Sequence, residues 1–245
     1  MTLMKRIQGF VLLTGLLLTT ALPGQAFAQT AKSIQYGDVV SGELTAATPS
    51  FTYTFTAAAN DVVVLIMKQD GSDSNVQSMI SVNDSKKQAV GDTSKQVTTY
   101  SVNMAFTAAA NGVYTVVATS TDPTKLGKFK LSLDKAAALT AGKPSKGHAT
   151  SDKSAYFSYS SGSVFTISYA KQNGDFTPNV NVNKINDDLS LSTLGTIGGS
   201  LVRAGSVTLA PTSNQLFIIS VEPALFDFNL STVTDDFTLQ ADAAK

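Results

Sequence analysis

The sequence predicts an all-β protein built from two tandem antiparallel β-sandwich domains that follow a signal peptide. Three observations support this fold class. Apolar and polar residues alternate over short runs, as they do in half-buried strands. Turn-forming pairs such as Asn60-Asp61 and Asn111-Gly112 separate these runs at intervals typical of sandwiches and barrels. The same series of segments then occurs twice along the chain, which indicates an internal repeat.

The N-terminus has the pattern of a secretory signal peptide. Two basic residues precede an apolar run over residues 10–18, and Ala26-Phe27-Ala28 places small residues before an expected cleavage site. The run is shorter than the about 20 apolar residues that span a bilayer, so a retained membrane anchor is the weaker interpretation. We therefore expect residues 1–28 to be removed and the rest of the chain to be secreted or periplasmic, without membrane insertion.

The strands follow from the alternation of side chains. Phe51, Tyr53 and Phe55 alternate with threonines, so the three rings are expected on the core side of one strand. Residues 61–67 are apolar almost throughout, which predicts a strand that is buried on both faces. Further strands are predicted over residues 113–118 and 129–133.

The internal repeat sets the domain organisation. Successive segments of the first half have counterparts in the second half in the same order; residues 62–67, for example, correspond to residues 164–170. The repeat places a boundary in an alanine-rich stretch, which predicts domains over residues 29–134 and 135–245. The second copy also carries an extra stretch over residues 189–205, which is either an additional hairpin or a mobile loop.

Composition excludes several function classes. Cysteine is absent, so disulfides, thiolate metal sites and a cysteine nucleophile are excluded. The chain carries 18 basic and 18 acidic residues, and removal of Lys5 and Arg6 leaves a small acidic excess. No broad basic field is therefore expected, and nucleic acid is not an expected partner.

Short motifs in the first half resemble a known family. Tyr36-Gly37-Asp38 stands before the first aromatic strand, Asn111-Gly112-x-Tyr114 begins a later strand, and Gly127-x-Phe129 begins the last one. Over roughly residues 33–133 this pattern is similar to the bacterial pre-peptidase C-terminal domain. The second copy is similar to the family only through the first copy, and it has Asn214-Gln215-Leu216 in place of Asn-Gly-x.

The family resemblance implies a fold and a compartment. Members are jelly-roll-like β-sandwiches that usually accompany secreted peptidases and other hydrolases as accessory domains. Some members bind matrix protein or calcium. No peptidase accompanies the domain in this sequence, so the resemblance implies the fold more firmly than an activity.

No catalytic residues are predicted, and the protein is expected not to be an enzyme. Its single histidine, His148, follows Gly147 and is expected in an exposed loop rather than as the base of a Ser-His-Asp arrangement. The acidic pairs Asp187-Asp188 and Asp235-Asp236 are predicted to be turn or solvated-edge residues. Neighbours on a strand point to opposite faces, so neither pair supplies the facing carboxylates of a glycoside hydrolase.

Calcium is the one metal that the sequence leaves open, and no other cofactor is expected. Asp70, Asp73 and Asn75 lie in one predicted loop, and their carboxylate and amide oxygens are the ligands that calcium prefers. The spacing differs from that of an EF-hand, and the terminal glutamate is missing. These three residues are candidate calcium ligands, and an acidic turn without a metal is the alternative interpretation.

The partner is expected to be an extracellular polymer or an exported protein. Carbohydrate binding often uses exposed aromatic rings; Tyr36, Tyr100 and Phe226 are the few that could be exposed, and core or edge packing is the favoured interpretation for each. The leading expectation is a non-catalytic binding or accessory module. The alternatives are a structural envelope or matrix protein that self-assembles through edge strands, and a hydrolase with an unrecognised site.

Overall fold

The chain folds into β-strands throughout its described part, which confirms the all-β fold class. The computed structural model describes residues 30–72, 74–96, 100–150, 153–174, 178–198, 203–223 and 234–243, so the predicted signal peptide lies outside the described residues. The first half contains β1 (Lys32–Ser33), β2 (Asp38–Leu44), β3 (Ser50–Ala57), β4 (Val62–Gln69), β5 (Ser78–Asn83), β6 (Ala89–Asp92), β7 (Ser101–Thr107), β8 (Gly112–Ser120) and β9 (Gly127–Lys135). The second half contains β10 (Ala137–Ala138), β11 (Ser145–Thr150), β12 (Ala155–Ser161), β13 (Phe165–Gly174), β14 (Pro178–Ile185), β15 (Leu191–Ile197), β16 (Ala204–Leu209), β17 (Gln215–Pro223) and β18 (Thr234–Ala243). Within the ranges given above, no helix has the length and apolar character needed to cross a membrane.

The strands form four sheets. In the first half the strand orders are β1-β3-β8-β5-β6 and β2-β9-β4-β7, and in the second half they are β10-β12-β17-β14-β15 and β11-β18-β13-β16. Each strand of the second half corresponds to the strand of the first half whose number is nine lower (β10 to β1, for example), so the same topology occurs twice. The pairings are antiparallel except at two short edges, where β1 pairs with β3 and β10 pairs with β12 in parallel. The predicted domain boundary after residue 134 falls one residue before the end of β9 and stays a prediction.

Each pair of sheets encloses its own hydrophobic core. In β3 the rings of Tyr53 and Phe55 are buried, while the threonines that alternate with these rings face outward, which confirms the predicted alternation. In the first sandwich Phe55 stacks on Tyr114, with 5.5 Å between the ring centroids. In the second sandwich Phe165 packs on Phe217, with ring centroids 4.8 Å apart.

A third apolar cluster joins the two sandwiches. Val64 and Ala105 point outward from the sheet β2-β9-β4-β7, and Tyr156 and Ile218 point outward from the sheet β10-β12-β17-β14-β15. Ala136, between β9 and β10, completes this set of buried residues, which we call the junction cluster. The four sheets are therefore stacked, and the two central sheets contact each other. β4 is buried on both faces, as its apolar sequence predicted, because one face lines the first core and the other lines the junction cluster.

A turn of the second sandwich covers an edge of the first. Leu189, between β14 and β15, lies against Gly91, where an added Cβ would come within 2.6 Å of Leu189 Cδ1. The Leu189 carbonyl accepts a hydrogen bond of 2.9 Å from the Ala105 amide of edge strand β7. Leu191 N donates to Asn103 Oδ1 of the same strand at 2.8 Å. These contacts cover backbone groups that an edge strand would otherwise leave unpaired.

The backbone of Leu189 is strained, and its packing offsets the strain. Its φ of 63° is in the left-handed region, which is unfavourable for a large side chain. Lys87, with a φ of 62°, takes the same position in the equivalent turn between β5 and β6, but its side chain is exposed. The two turns close alike, with hydrogen bonds from Asp84 N to Gln88 O and from Asn186 N to Ser190 O, both of 2.9 Å. Both copies of the repeat therefore have the same turn geometry. Only in the second copy does a leucine at this position contact the other sandwich.

The stretch at residues 189–205 is not an additional hairpin. β15 and β16 take the places of β6 and β7 in the repeated strand order. β15 has seven residues where β6 has four, so the extra sequence lengthens an edge strand. Residues 199–202 lie outside the described part of the chain.

We expect Leu189→Ala to lower the free energy of unfolding by about 1–3 kcal/mol, because the half-buried side chain loses its packing while the unfavourable φ remains. Urea unfolding followed by circular dichroism measures the change. Lys87→Ala is the matched control, since it alters the same turn position on an exposed side chain, and it should change stability by less than about 0.5 kcal/mol. Equal effects of the two substitutions would contradict a role for Leu189 in joining the sandwiches.

Candidate functional site

The structure brings together only part of the predicted calcium site. Asp70 follows β4, and its carboxylate lies 3.2 Å from Lys130 Nζ of β9. Asn75 is exposed in the same connection, and Asp73 lies outside the described residues. The described residues contain no cluster of three or more histidine, aspartate or glutamate side chains that could hold a metal ion. A calcium ion at Asp70 would have to compete with Lys130, and the calcium site stays a prediction.

The same connection forms one wall of an open hollow at the end of the first sandwich. The hollow has a volume of about 300 Å³. Tyr100 also lines the hollow and is 74% exposed, the highest value among the large hydrophobic residues described. The remaining lining residues carry amide, hydroxyl or ammonium groups: Gln69, Ser72, Ser74, Asn75, Gln77 and Lys125. We call this surface the Tyr100 hollow.

Hydrogen bonds hold the wall of the Tyr100 hollow in place. Gln69 Nε2 donates to the Val76 carbonyl at 3.0 Å, which closes the connection between β4 and β5 on itself. Ser74 Oγ donates to the Lys128 carbonyl at 2.7 Å, and Thr121 Oγ1 donates to Gln77 Oε1 at 3.1 Å. These bonds tie the connection to β9 and to the end of β8. The polar groups that line the hollow are therefore positioned before any ligand arrives.

A second, narrower groove lies where the two sandwiches meet. It has a volume of about 70 Å³ and is lined from the first sandwich by Val39, Ile66, Lys68, Lys130, Ser132 and Asp134 and from the second by Lys153, Ser154 and Tyr156. We call it the junction groove, because the junction cluster residue Tyr156 lies beside it. Lys153 Nζ crosses between the sandwiches and donates to the Gly37 carbonyl at 3.1 Å.

The junction groove changes the acidity of two of its groups. Burial raises the pKa of Asp134 to about 6, and the charge of Lys153 opposes that rise. Burial, followed by the negative charge of Glu222, raises the pKa of the Tyr156 hydroxyl. Tyr156 therefore stays protonated at neutral pH, while Asp134 changes its charge in the mildly acidic range.

The residues considered for catalysis are separated or exposed. His148 lies in β11 rather than in a loop, its side chain is 56% exposed, and its Nδ1 is 2.8 Å from Asp236 Oδ1 of β18. Asp188 lies in the turn after β14 and accepts hydrogen bonds from the backbone and hydroxyl of Ser190. These contacts satisfy the acidic groups locally. Asp188 agrees with the interpretation of its pair as turn residues. The edge interpretation is wrong for Asp236, because β18 pairs with β11 on one side and with β13 on the other.

The aromatic candidates fall into three different environments. Tyr36 is half-buried, and its hydroxyl donates to Asp61 Oδ2 at 3.2 Å. Tyr100 is exposed at the hollow, and Phe226 lies outside the described residues. Packing was the favoured interpretation for Tyr100, which the structure instead exposes. Sequence reasoning missed the junction groove, because the register between β4 and β9 is what brings Lys68 and Lys130 together.

Comparisons with known proteins give remote structural likenesses. No protein-family model matches the chain, and no curated protein matches it. The pre-peptidase C-terminal domain of a collagenase from Bacillus anthracis is 16% identical; the match covers 42% of this chain and 94% of that chain, with a TM-score of 0.37. The N-terminal CBM22-1-CBM22-2 tandem domain of a Paenibacillus barcinonensis protein is 12% identical; that match covers 78% of this chain and 82% of that chain, with a TM-score of 0.29. The family resemblance of the first sandwich stays a prediction.

We expect Asp134→Asn to stabilise the protein at neutral pH and to lose this effect in acid. The carboxyl has an ordinary pKa of 3.8 when exposed and about 6 in the fold, so the folded state favours the protonated form. The stabilisation from the bound proton is complete below about pH 4 and is lost as the pH rises through 6. Asparagine is uncharged at every pH and avoids that loss.

Melting temperatures at pH 4 and pH 7.5 test this prediction. The variant should melt about 2–5 °C above the parent protein at pH 7.5, with the difference shrinking toward zero at pH 4. Asp242→Asn is the matched control, because Asp242 holds the equivalent register position on β18 and accepts hydrogen bonds from Gln240 Nε2. A gain at Asp134 that does not depend on pH would contradict the assigned cause.

Proposed function

We propose that this protein is an exported, non-catalytic binding protein that holds an uncharged extracellular polysaccharide at the Tyr100 hollow. The observation that carries the proposal is the exposed Tyr100 ring beside amide and hydroxyl groups that the fold already positions. The apolar face of a sugar can stack on such a ring, and its hydroxyls can bond to amide and hydroxyl groups. Among the described residues that line the hollow, Lys125 is the only charged one, which favours a neutral ligand.

The proposal places the protein outside the cytoplasm as two sandwich domains. The N-terminal pattern over residues 1–28 supports export, to the periplasm or to the medium. The predicted domains over residues 29–134 and 135–245 are supported by the repeated strand order. An enzymatic role is disfavoured because the exposed His148 pairs with Asp236 at a sheet surface rather than in a cleft with a nucleophile.

Self-assembly by further stacking of sheets is disfavoured by the outer faces. The contact between the sandwiches uses apolar residues such as Val64 and Ile218. Strand register places Thr166 and Thr115 at the equivalent positions on the two outer sheets. Polar outer faces end the stack at two sandwiches, as polar terminal repeats do in repeat proteins. Assembly through edge strands stays the self-association alternative, and an extracellular polymer is the leading partner that we propose.

Co-sedimentation of the purified exported chain with insoluble cellulose, chitin, peptidoglycan and collagen tests the polysaccharide proposal. We expect the protein to pellet selectively with one of the carbohydrate polymers, and Tyr100→Ala to weaken that binding by roughly tenfold because the stacking surface is lost. Tyr100→Phe should keep most of the affinity, since the ring remains.

Val113→Ala is the matched control, because Val113 is 51% exposed at the opposite end of β8 from the hollow. A polymer-free tube is spun in parallel. The polysaccharide proposal would be overturned if the protein pelleted with collagen alone or stayed soluble in every tube that contains a polymer. Pelleting in the polymer-free tube would favour the self-assembling alternative.

We also propose that calcium, if it binds, does so at the wall of the same hollow through Asp70 and Asn75. The protein should then melt at a higher temperature in calcium than in chelator, and Asp70→Asn should abolish the difference because a charged ligand is lost. Asp187→Asn, in the exposed turn after β14, is the control for the change in net charge. A melting temperature that is the same in calcium and in chelator would contradict the calcium site.

A further inference from the structure

Three lysines line the junction groove. Lys68 of β4 and Lys130 of β9 are directly opposite each other in the strand register, and both line the groove. Lys153 reaches the groove from the second sandwich, just before β12. Like charges that face each other across two strands destabilise a sheet, so the arrangement needs a negative partner.

The described contacts neutralise this charge only in part. Asp70, which is not among the lining residues, lies 3.2 Å from Lys130, and Asp134 is the one carboxylate among the described residues that line the groove. The ammonium of Lys153 is held by the Gly37 carbonyl, which brings no charge. Within the described part of the chain, the three lysines of the groove therefore outnumber the carboxylates that line it.

The fold does not require these lysines. In the second sandwich the register Ala170↔Thr238 occupies the position that Lys68↔Lys130 occupies in the first. The same sheet is thus built there with an alanine and a threonine. The lysine pair belongs to the copy whose outward face meets the other sandwich and forms the groove.

The remaining lining suits an oxygen-rich anion. Ser132 contributes a hydroxyl group, and Tyr156 contributes a hydroxyl that stays protonated and accepts a hydrogen bond from Ser154, so Ser132 and Tyr156 can each donate a hydrogen bond to an anion. The groove has a volume of about 70 Å³, against about 300 Å³ for the Tyr100 hollow. The groove therefore has room for one charged group rather than for a whole sugar or peptide.

We propose that the junction groove is a second binding site, which takes one oxyanion group, a carboxylate, sulfate or phosphate, by contacts from both sandwiches. This site is independent of the Tyr100 hollow and does not rest on the polysaccharide proposal. A bound oxyanion would join Lys68 and Lys130 of the first sandwich to Lys153 of the second. Its binding would therefore stabilise the contact between them.

Asp134 makes the site sensitive to pH. The charged groups that face it are Lys68 from β4, Lys130 from its own strand and Lys153 from the connection before β12. Glu222 of β17 is the charged group that acts on the neighbouring Tyr156. Protonation of Asp134 removes a negative charge from the lining, so an oxyanion should bind more tightly in mild acid than at alkaline pH.

Sulfate is a suitable probe, because its own charge does not change over this range. We expect titration of the full exported chain with sodium sulfate, followed by amide NMR shifts against sodium chloride of equal ionic strength, to give saturable shifts in β4, β9 and residues 153–156. The affinity should be several-fold higher at pH 5 than at pH 8. Asp134→Asn should bind at pH 8 about as tightly as the parent protein does at pH 5.

Lys68→Gln tests the positive charge directly, and it should weaken sulfate binding by about three- to tenfold. Lys87→Gln is the matched control, because it removes the same charge from an exposed turn of the first sandwich and should leave the affinity unchanged. Equal losses in both variants, or shifts that chloride reproduces, would overturn the site. If Lys68→Gln is poorly folded, the pH-independent binding expected of Asp134→Asn decides the matter.

Two further ligands distinguish the source of the oxyanion. Polygalacturonate carries carboxylates and heparin carries sulfates on a polymer, whereas sulfate is a free ion. If either polymer binds more tightly than sulfate does, and if Lys68→Gln abolishes that binding, the natural ligand of the groove is an anionic group on an extracellular polymer. Binding no tighter than sulfate would assign a free ion.

Discussion

The apolar contact between the two central sheets is the interaction on which the rest of the structure depends. Val64 and Ile66 would face water if the first sandwich stood alone, because the opposite face of β4 already lines a complete core. Burial against Tyr156 and Ile218 removes this surface from water, and the gain scales with the apolar area covered. The contact fixes the two sandwiches face to face, and the junction groove exists only because they are held in that position.

The two copies of the repeat differ where their surroundings differ. Both keep aromatic rings in their cores, and both keep the tight turn that ends at Lys87 in one copy and at Leu189 in the other. The differences lie on the outward faces, where the first copy has Val64 and the second has Thr166. Inward positions are constrained by packing in both copies, whereas an outward position must be apolar only if another sheet covers it.

Much of the fold could be predicted from the sequence, because strand alternation is a local property. The pattern around Tyr53 identified a strand with one buried face, and the continuous apolar run before Met67 identified one buried on both. What covered the second face could not be predicted, since it belongs to the other copy. Packing was favoured for Tyr100, and its exposure depends on tertiary contacts that the local pattern does not specify. The meeting of Lys68 and Lys130 depends on strand register, which composition and spacing do not specify.

Asp134 affects both the stability of the contact between the sandwiches and the proposed binding of an oxyanion in the junction groove. Its counterpart Asp242 accepts hydrogen bonds from Gln240 on an outer sheet, whereas Asp134 is enclosed by the second sandwich and has a raised pKa. An ionised carboxylate in that place costs stability at neutral pH, and natural sequences depart from local rules of stability mainly at functional sites. The same carboxylate opposes the lysines that would hold an oxyanion, so one proton adjusts both the strength of the contact and the charge of the groove. A neutral residue would make the contact stronger, and it would also remove the dependence of the groove on pH.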